Sequence, residues 1–433
     1  MVLFWFRRDL RLHDNTGFFK ALTSGAQVLP FFIFDTDILD KLDDTQDARV
    51  TFIYKTIENL HQQLETYNST LLVKYGKPEA VIAELLQTYA VEAIYTNHDY
   101  EPYSRQRDLR LQQLLKKHNV SFCSFKDQVI FEKEEIMTQS GSPYKVYTPY
   151  KNSWLKAFKP EHAEEAPSQH QLQHLLNHAK TKVPTLHKMG FQVSEVEVPD
   201  PDVSADTLSA YHDTRNLPAL DATSRLSVHL RFGTFSVRQA VQLALRHNKV
   251  WLQELIWREF FMQLLYHFPQ TTNESFYPKF RQITWRNNEQ EFEKWCQGTT
   301  GFPLVDAGMR ELNQTGFMHN RVRMVVASFL VKDLFVDWRW GEAYFAAKLL
   351  DYEQSSNIGN WQWAAGTGAD AQPYFRIFNP DSQVKKFDKQ HEYIKRWVPE
   401  FGTAAYPAPM VDHSQARDRA LQEFKKSIEM MGS

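Results

Sequence analysis

The stretch from Asp351 to Pro380 holds the residues whose types and spacing most clearly suggest chemistry. Trp361 and Trp363 stand two positions apart, and Asn357 precedes Trp361 by one helical turn. On a helix, positions two apart point about 200° away from each other. We therefore expect one indole to face a buried partner and the other to face a cavity. A buried aromatic helix in a large helical domain is the alternative interpretation.

A second group lies in WLQELIWREFF at 251–261. Glu254, Trp257 and Arg258 have i, i+3 and i+4 spacing, so a helix would present them on one face. A carboxyl group beside an aromatic ring in a cavity could stabilise charge that develops on a substrate carbonyl. An ordinary surface pair between Glu254 and Arg258 also explains the spacing.

A third group lies in MHNRVRM at 318–324. Asn320, Arg323 and Met324 would share one helix face, while Arg321 would point elsewhere, toward a phosphate. An ordinary amphipathic helix is the alternative.

The segment TSRLS at 223–227 is rich in hydroxyl groups. Hydroxyl groups together with the backbone amides of a helix N-terminus form an anion site that phosphate can fill. A plain helix cap explains the same residues.

Tryptophan is abundant, with 11 residues in the chain, which favours stacked ligands or bases. Trp285, Trp338 and Trp361 are oxidisable side chains that could pass an electron between the surface and the core. Core filling is the alternative, because their spacing alone does not establish that they line up.

Composition limits the classes of protein to consider. A chain of 433 residues is too long for one hydrophobic core, so two domains are expected. The formal net charge of −2 means that any nucleic-acid site must be a local basic patch. Two cysteines without a CxxC pattern support neither a disulfide framework nor a zinc site. With an initial apolar run too short for a signal peptide, the expected location is the cytoplasm.

The hydrophobic periodicity, which predicts the strands and helices that position these groups, changes along the chain. Strand-like apolar runs at 2–6, 28–35, 70–76, 91–97 and 120–125 alternate with amphipathic stretches at 48–66, 78–89 and 104–117. This alternation predicts a Rossmann-like α/β domain with a parallel sheet over 1–130. No GxGxxG follows the first run, so a dinucleotide bound to this sheet in the usual manner has no support.

For the rest of the chain, the pattern predicts a linker over 131–205 and an all-α domain over 206–433. Helical periodicity appears at 237–246, 252–266, 303–313, 318–336 and 342–350. In the linker, His170, His174 and His178 stand four apart and would share a helix face. No Cys, Asp or Glu completes a ligand set there, so we expect a solvated linker helix and no metal site.

Taken together and in order, these motifs resemble the photolyase/cryptochrome flavoproteins. The likeness runs from FWFRRDLRLHDN through TSRLS, ELIWREF and MHNRVRMVVASFLVKDL to NWQWAAGTGADAQPYFRIFNP. It covers nearly the whole chain and is closest to the class I photolyases that repair cyclobutane pyrimidine dimers. The resemblance implies a U-shaped FAD in the helical domain. Blue light would excite the reduced flavin, an electron would pass to a flipped-out dimer, and the electron would return after the ring splits.

The resemblance also assigns roles to residues. The residues implied to bind FAD are Tyr211, Thr223, Ser224, Arg225, Leu226, Ser227, Glu254, Arg258, Asn320, Arg323, Asp351, Glu353 and Asn357. The residues implied to surround the dimer are Glu254, Trp257, Asn320, Met324 and Trp363. The electron-transfer chain would be Trp361, Trp338 and Trp285, and the DNA phosphates would contact Arg321, Arg376 and Lys386.

The chain departs from its relatives at a few positions. Glu353 stands where many relatives have Asp, and Phe317 replaces a frequent Trp. HDYEPYSRQRD at 98–108 lacks the Asn-Glu pair of folate-binding relatives and resembles the EPYxRxRD form of deazaflavin binders. We therefore expect an antenna site that includes Arg49 and Glu101 and that takes a deazaflavin or FMN rather than methenyltetrahydrofolate. An empty antenna pocket is the alternative.

The expected protein is a monomeric photo-lyase that acts on damaged DNA without contact to a membrane. The main alternative is a cryptochrome that senses blue light without repair. Asn357 counts against it, because plant cryptochromes carry Asp there, and so does the lack of a long tail after RALQEFKKSIEMM. Repair of 6-4 photoproducts usually requires histidines where this chain has Asn320 and Met324. A non-catalytic flavoprotein is a third option.

Overall fold

The computed structural model describes residues 1–429, which form two compact units. The first unit comprises residues 1–135, 156–201 and 225–246. The second comprises 136–155, 202–224 and the chain from His247 onward. Each unit is thus assembled from separate segments of the sequence. The division at residues 130 and 205 stays a prediction.

The first unit contains a five-stranded parallel sheet. Its strands are β1 Val2–Phe6, β2 Val28–Asp35, β3 Leu72–Gly76, β4 Ala93–Asn97 and β5 Ser121–Phe125. They are ordered β3-β2-β1-β4-β5, and every pair is parallel. All residues of β1 and β2 are buried, which is typical of a sheet covered on both faces. The predicted parallel α/β sheet is therefore confirmed, with strand starts shifted by at most two residues.

The helices connect the strands and make up most of the second unit. They are α1 Thr16–Leu22, α2 Thr36–Leu39, α3 Ala48–Glu65, α4 Pro78–Thr88, α5 Pro102–Lys117, α6 Tyr147–Ala157, α7 Ala205–Thr214, α8 Ser227–Phe232, α9 Val237–His247, α10 Lys249–His267, α11 Glu289–Gln297, α12 Pro303–Thr315, α13 Asn320–Ser328, α14 Trp338–Lys348, α15 Gln354–Ala365, α16 Pro380–Phe387, α17 Glu392–Trp397 and α18 His413–Glu429. Short 3-10 turns lie at Pro160–Ala163, Ser168–His170, Leu172–His174, His187–Met189, Pro269–Thr272 and Pro278–Phe280.

A buried ionic network ties the first unit together. Asp127 accepts from the guanidinium of Arg11 at 2.6 Å and from that of Arg238 at 2.8 Å. Arg238 also donates to Asp14 at 2.7 Å. Burial alone would raise the pKa of Asp127, but the charges of Arg11 and Arg238 outweigh it and lower the pKa well below its ordinary value. The carboxylate therefore stays ionised inside the unit.

The second unit has a core built mainly from α11 to α15. Val305, Val326, Leu330, Trp338 and Trp361 belong to one buried cluster. The predicted helix over 318–336 is correct only in part. α13 ends at Ser328, and the chain continues as a π-helical turn over Phe329–Asp333. This turn buries Lys332, whose ammonium donates to the carbonyl of Ala365, the last residue of α15, at 2.6 Å.

The predicted helix through the histidine run is wrong. His170 and His174 end two separate 3-10 turns, Ser168–His170 and Leu172–His174, and His178 lies outside both. The ring of His178 is hydrogen-bonded to the hydroxyl of Tyr89 at 3.0 Å. Two separate three-residue turns do not form a continuous helix, so these rings do not share a helix face.

Among residues 1–429, no helix combines the length and the apolar character needed to cross a membrane.

The buried network predicts a specific stability loss. Asp127→Asn should lower the free energy of opening of the β1 and β4 amides by about 3–5 kcal/mol, because it removes the buried carboxylate that Arg11 and Arg238 share. Native-state hydrogen exchange measures this quantity. The lowered pKa sets the sign with pH: the stabilisation is present above the ordinary Asp value of about 3.9 and is lost as the pH falls below it.

The matched control is Glu79→Gln, since Glu79 pairs with Arg110 at the surface. It should change stability by less than about 1 kcal/mol. Equal effects of the two substitutions at neutral pH would show that the buried network does not stabilise the unit.

Candidate active site

Two close helix contacts position the candidate site in the second unit. A Cβ placed on Gly359 would lie 2.2 Å from the ring of Phe261, so the absence of a side chain lets α15 lie directly against α10. A Cβ on Gly341 would lie 2.1 Å from the indole of Trp361, so α15 is equally close to α14. The helix that carries Asn357, Trp361 and Trp363 is therefore fixed on two sides.

The two indoles of α15 differ in burial, and the cavity predicted beside one of them stays a prediction. Trp361 is buried at 2% exposure within the main core, whereas Trp363 is only half-buried at its edge. Asn357 lies one turn earlier, where its Nδ2 donates to the backbone oxygen of Glu342 at 3.1 Å and to its carboxyl at 2.9 Å. Both bonds use the amide nitrogen, so the carbonyl oxygen of Asn357 takes no part in the contact with Glu342.

Glu254 lies on α10 and pairs with an arginine that the sequence did not suggest. Its Oε1 accepts from Nη1 of Arg215 at 2.6 Å, and Arg215 follows the last residue of α7. Burial raises the pKa of Glu254, and the charge of Arg215 offsets only part of this rise. Trp257 and Arg258 are half-buried on the same helix. A carboxyl group with a raised pKa beside a partly accessible indole is typical of a functional pocket.

The face of α13 carries a paired arginine and two accessible side chains. Arg323 forms two bonds with Asp351, at 3.1 and 2.9 Å. Asn320 is exposed at the first position of α13, and Met324 is half-buried one turn later. The bidentate pair fixes the orientation of the guanidinium group.

Glu353 has a structural role in the described chain. Its carboxyl caps α15 by accepting from the backbone amides of Ser355 at 3.3 Å and Ser356 at 2.9 Å. A carboxylate at a helix N-terminus is favoured by the helix dipole, and Asp could act in the same way.

The predicted phosphate segment extends over both units. Thr223 and Ser224 belong to the second unit, whereas Arg225, Leu226 and Ser227 belong to the first. Ser227 opens α8, and Arg225 has a positive φ of 48°. In the second unit, Tyr211 lies under the guanidinium of Arg215 at 5.2 Å, and burial followed by the charge of Glu254 raises the pKa of its hydroxyl.

Two of the predicted phosphate-contacting cations share one aromatic ring. The guanidinium of Arg321 lies 4.4 Å from the centre of Phe387, and the ammonium of Lys386 lies 5.1 Å from it. Arg321 also donates to Oδ1 of Asn216 at 2.6 Å. Burial, together with repulsion from Arg215, lowers the pKa of Arg321. Arg376 is exposed. The second unit therefore contains a local group of cations despite the net charge of −2.

The three tryptophans predicted to transfer electrons run from the core to its edge. Trp338 and Trp361 are buried, and Trp285 packs half-buried against the same cluster. Among described residues, Nε1 of Trp338 has no hydrogen-bond partner. Trp361 also contacts a tryptophan that the sequence did not single out: the ring centres of Trp295 and Trp361 are 6.2 Å apart.

The first unit has a cavity of about 700 Å³ beyond the carboxyl ends of β2 and β3. Its lining consists of Thr36, Asp37, Asp40, Lys41, Lys77, Glu79, Tyr103 and Arg110. Arg49 and Glu101 are outside this lining. Arg49 pairs with Asp47 at the start of α3, and Glu101 pairs with Arg8 and Arg231. Ligands often bind at this edge of a parallel sheet.

Metal binding has no support in the part of the chain that the structure describes, where no group of three His, Cys, Asp or Glu side chains could hold an ion.

Comparison with known proteins decides the family. Residues 2–169 match the family model described as DNA photolyase, and residues 251–405 match the model described as FAD binding domain of DNA photolyase. A deoxyribodipyrimidine photo-lyase from Synechococcus is 38% identical, with 98% of this chain and 97% of the relative covered. One from Vibrio cholerae is 36% identical, over 98% and 99%.

This chain belongs to the DNA photolyase family. A bacterial class III photolyase from Agrobacterium tumefaciens has a similar structure, with a TM-score of 0.87, 33% identity, and coverage of 99% of this chain and 98% of that one. A Synechocystis cryptochrome matches with a TM-score of 0.85, 27% identity and 98% coverage of each chain. The predicted family, the α/β-plus-helical architecture and FAD as cofactor are thereby confirmed.

The side chains of the second unit suit the cofactor of this family. Arg258 on α10, the Arg323–Asp351 pair and Asn357 on α15 are partly or fully buried polar groups that could hydrogen-bond to a flavin ring. Sequence reasoning missed Arg215 and Trp295. Only the spacing of Arg215 from Tyr211, one helical turn, could have drawn attention to it.

Proposed function

We propose that this photolyase repairs cyclobutane pyrimidine dimers in DNA with an electron from light-excited, reduced FAD. One observation carries the proposal. α10 and α15 lie in direct contact. α10 carries the half-buried indole of Trp257 and the carboxyl of Glu254, and α15 carries the half-buried indole of Trp363. Two aromatic walls and one hydrogen-bonding carboxyl suit a pair of joined, extruded pyrimidines.

Several side chains would hold the cofactor, which supplies the light-driven electron when bound. Arg258, Arg323, Asp351 and Asn357 would surround the ring system, with Asn357 near the flavin N5. Tyr211 and the 223–227 segment would contact the phosphates. Glu353 would contribute through its backbone, because its carboxyl caps α15. The bidentate Arg323–Asp351 pair fixes the orientation in which the guanidinium would meet the cofactor.

The lesion would be held by stacking and by hydrogen bonds. Trp257 and Trp363 would contact the bases, with each stack worth roughly 1–3 kcal/mol. Glu254 would bind the carbonyl or imide edge of the dimer and stabilise the negative charge that it gains. Burial raises the pKa of Glu254, and its ion pair with Arg215 offsets part of that rise. Asn320 and Met324 would complete the pocket.

The DNA backbone would be bound by Arg321, Arg376 and Lys386. Arg321 and Lys386 both lie near the ring of Phe387, so two cations are available from one small area of the second unit. Such contacts make binding depend on salt concentration.

Photoreduction would use Trp361, Trp338 and Trp285 in that order. The buried N–H of Trp338 has no acceptor among the described residues. An oxidised Trp338 would therefore keep its proton and draw an electron from Trp285, which is nearer to solvent.

The antenna site is proposed at the cavity beyond β2 and β3. Its charged groups and the ring of Tyr103 could hold an antenna molecule. The likeness of residues 98–108 to the EPYxRxRD form favours a deazaflavin or FMN over a folate. A structural neighbour from Sulfolobus tokodaii, 33% identical, is described as containing two FAD molecules. The cytoplasmic location and the monomeric state stay predictions.

The first prediction concerns repair itself. Under blue light, the purified protein should split cyclobutane dimers in an oligonucleotide and leave 6-4 photoproducts intact, as measured by chromatography of the products. Glu254→Ala should lower the yield severalfold while FAD stays bound, because the charge on the dimer loses its partner. Flavin absorbance without dimer cleavage would instead favour a light-sensing cryptochrome.

The second prediction concerns the route of photoreduction. Trp361→Phe should prevent photoreduction of oxidised FAD, because it removes the first donor, while chemically reduced enzyme should still repair. Trp295→Phe is the matched control, since Trp295 also touches Trp361. Transient absorption checks both. If the Trp295 variant lost photoreduction although Trp338 is intact, the electron would reach Trp361 through Trp295 and the proposed route would be wrong.

A further inference from the structure

The indole of Trp257 has a stacking partner that belongs to the protein itself. The rings of Tyr147 and Trp257 are parallel within 8°, with centres 3.6 Å apart. Phe261 lies 5.4 Å from the same indole, and Phe260 meets both rings nearly edge-on, at 5.7 and 5.9 Å. One face of Trp257 is therefore covered before any ligand arrives.

Tyr147 is fixed at both ends. Its hydroxyl donates to the backbone oxygen of Gln253 at 2.8 Å, and its backbone amide donates to Oδ2 of Asp370 at 3.0 Å. Only 5% of the residue is exposed. Burial, followed by the charge of Glu254, raises the pKa of the hydroxyl, so it remains a donor. The ring cannot rotate away from Trp257 without breaking the hydroxyl bond to Gln253 and opening buried apolar surface.

These contacts connect three segments around one indole. Tyr147 opens α6, Gln253 and Trp257 lie on α10, and Asp370 lies in the segment after α15. An isolated indole on a helix surface would sample several side-chain rotamers. A parallel partner at van der Waals distance selects one of them, and the partner is itself held by two hydrogen bonds.

We propose that Tyr147 is a positioning residue that presets Trp257 as a wall for the flipped pyrimidine dimer. This inference rests on the proposed function. Tyr147 touches no lesion: it acts through the indole, by removing rotamers that would otherwise have to be frozen when the dimer enters. Preorganisation of this kind strengthens binding of the lesion without adding a contact to it.

A double-mutant cycle tests the inference on the holoprotein. Fluorescence anisotropy would measure the affinity for a thymine-dimer oligonucleotide and for the undamaged oligonucleotide of the same sequence. Tyr147→Leu should lower the ratio of the two affinities roughly fivefold, the size expected for one aromatic pair, and leave binding to undamaged DNA unchanged. Tyr147→Phe, which keeps the ring, should retain most of the ratio. In a Trp257→Leu background, Tyr147→Leu should cost nothing further.

The matched control is Tyr144→Leu. Tyr144 packs edge-on against Tyr150, and its hydroxyl is hydrogen-bonded to Ser153. We expect no change in the ratio for this variant. FAD content and melting temperature verify that each variant is folded. Should Tyr147→Leu fail to fold, Tyr147→Met fills similar volume without stacking and takes its place in the cycle.

Three results would overturn the inference. An unchanged ratio in folded Tyr147→Leu would show that Trp257 needs no partner. If Tyr147→Leu lowered the affinity ratio equally in the Trp257→Leu background, Tyr147 would act on the DNA directly or only through the stability of the fold. A wild-type protein that binds both oligonucleotides equally would remove the proposed function, and the inference with it.

Discussion

The site depends on one constraint, the close approach of α15 to its two neighbouring helices. Gly359 lets the ring of Phe261 on α10 lie against α15, and Gly341 lets the indole of Trp361 lie against α14. Any larger side chain at either glycine would force the helices apart, because protein interiors are close-packed. With both contacts in place, Trp361 lies in the core while Trp363, two residues later, remains at its edge.

Polar side chains in this apolar surrounding are held in pairs. Glu254 is bonded to Arg215, Asn357 to Glu342, and Arg323 to Asp351. Burying such groups without partners would be costly, so the pairs keep chemically useful groups inside the unit in defined orientations. Glu254 shows the balance most clearly: burial raises its pKa, and one arginine offsets part of that rise. The first unit applies the same principle more strongly, with Asp127 between two arginines.

Local patterns predicted the elements well because each pattern has a local cause. Continuous apolar runs marked β1 and β2 at their observed ends, and the two-residue spacing of Trp361 and Trp363 predicted their different exposure. In the histidine run, the four-residue spacing predicted a helix, but the structure has 3-10 turns there. Contacts between side chains distant in sequence could not be predicted from these local patterns. Arg215 meets Glu254 across 39 positions, and Tyr147 stacks on Trp257 from a segment more than a hundred residues earlier. The interleaving of the two units has the same origin, because it depends on which segments pack together.

The most direct test of the central claim is the fluorescence lifetime of reduced FAD bound to this protein. If the flavin lies beside a pocket that admits an extruded dimer, electron transfer competes with emission. The lifetime should then be shorter with an oligonucleotide containing a thymine dimer than with the undamaged oligonucleotide of the same sequence. Equal lifetimes at saturating concentrations of both oligonucleotides would contradict it, because they would place the flavin out of reach of the lesion.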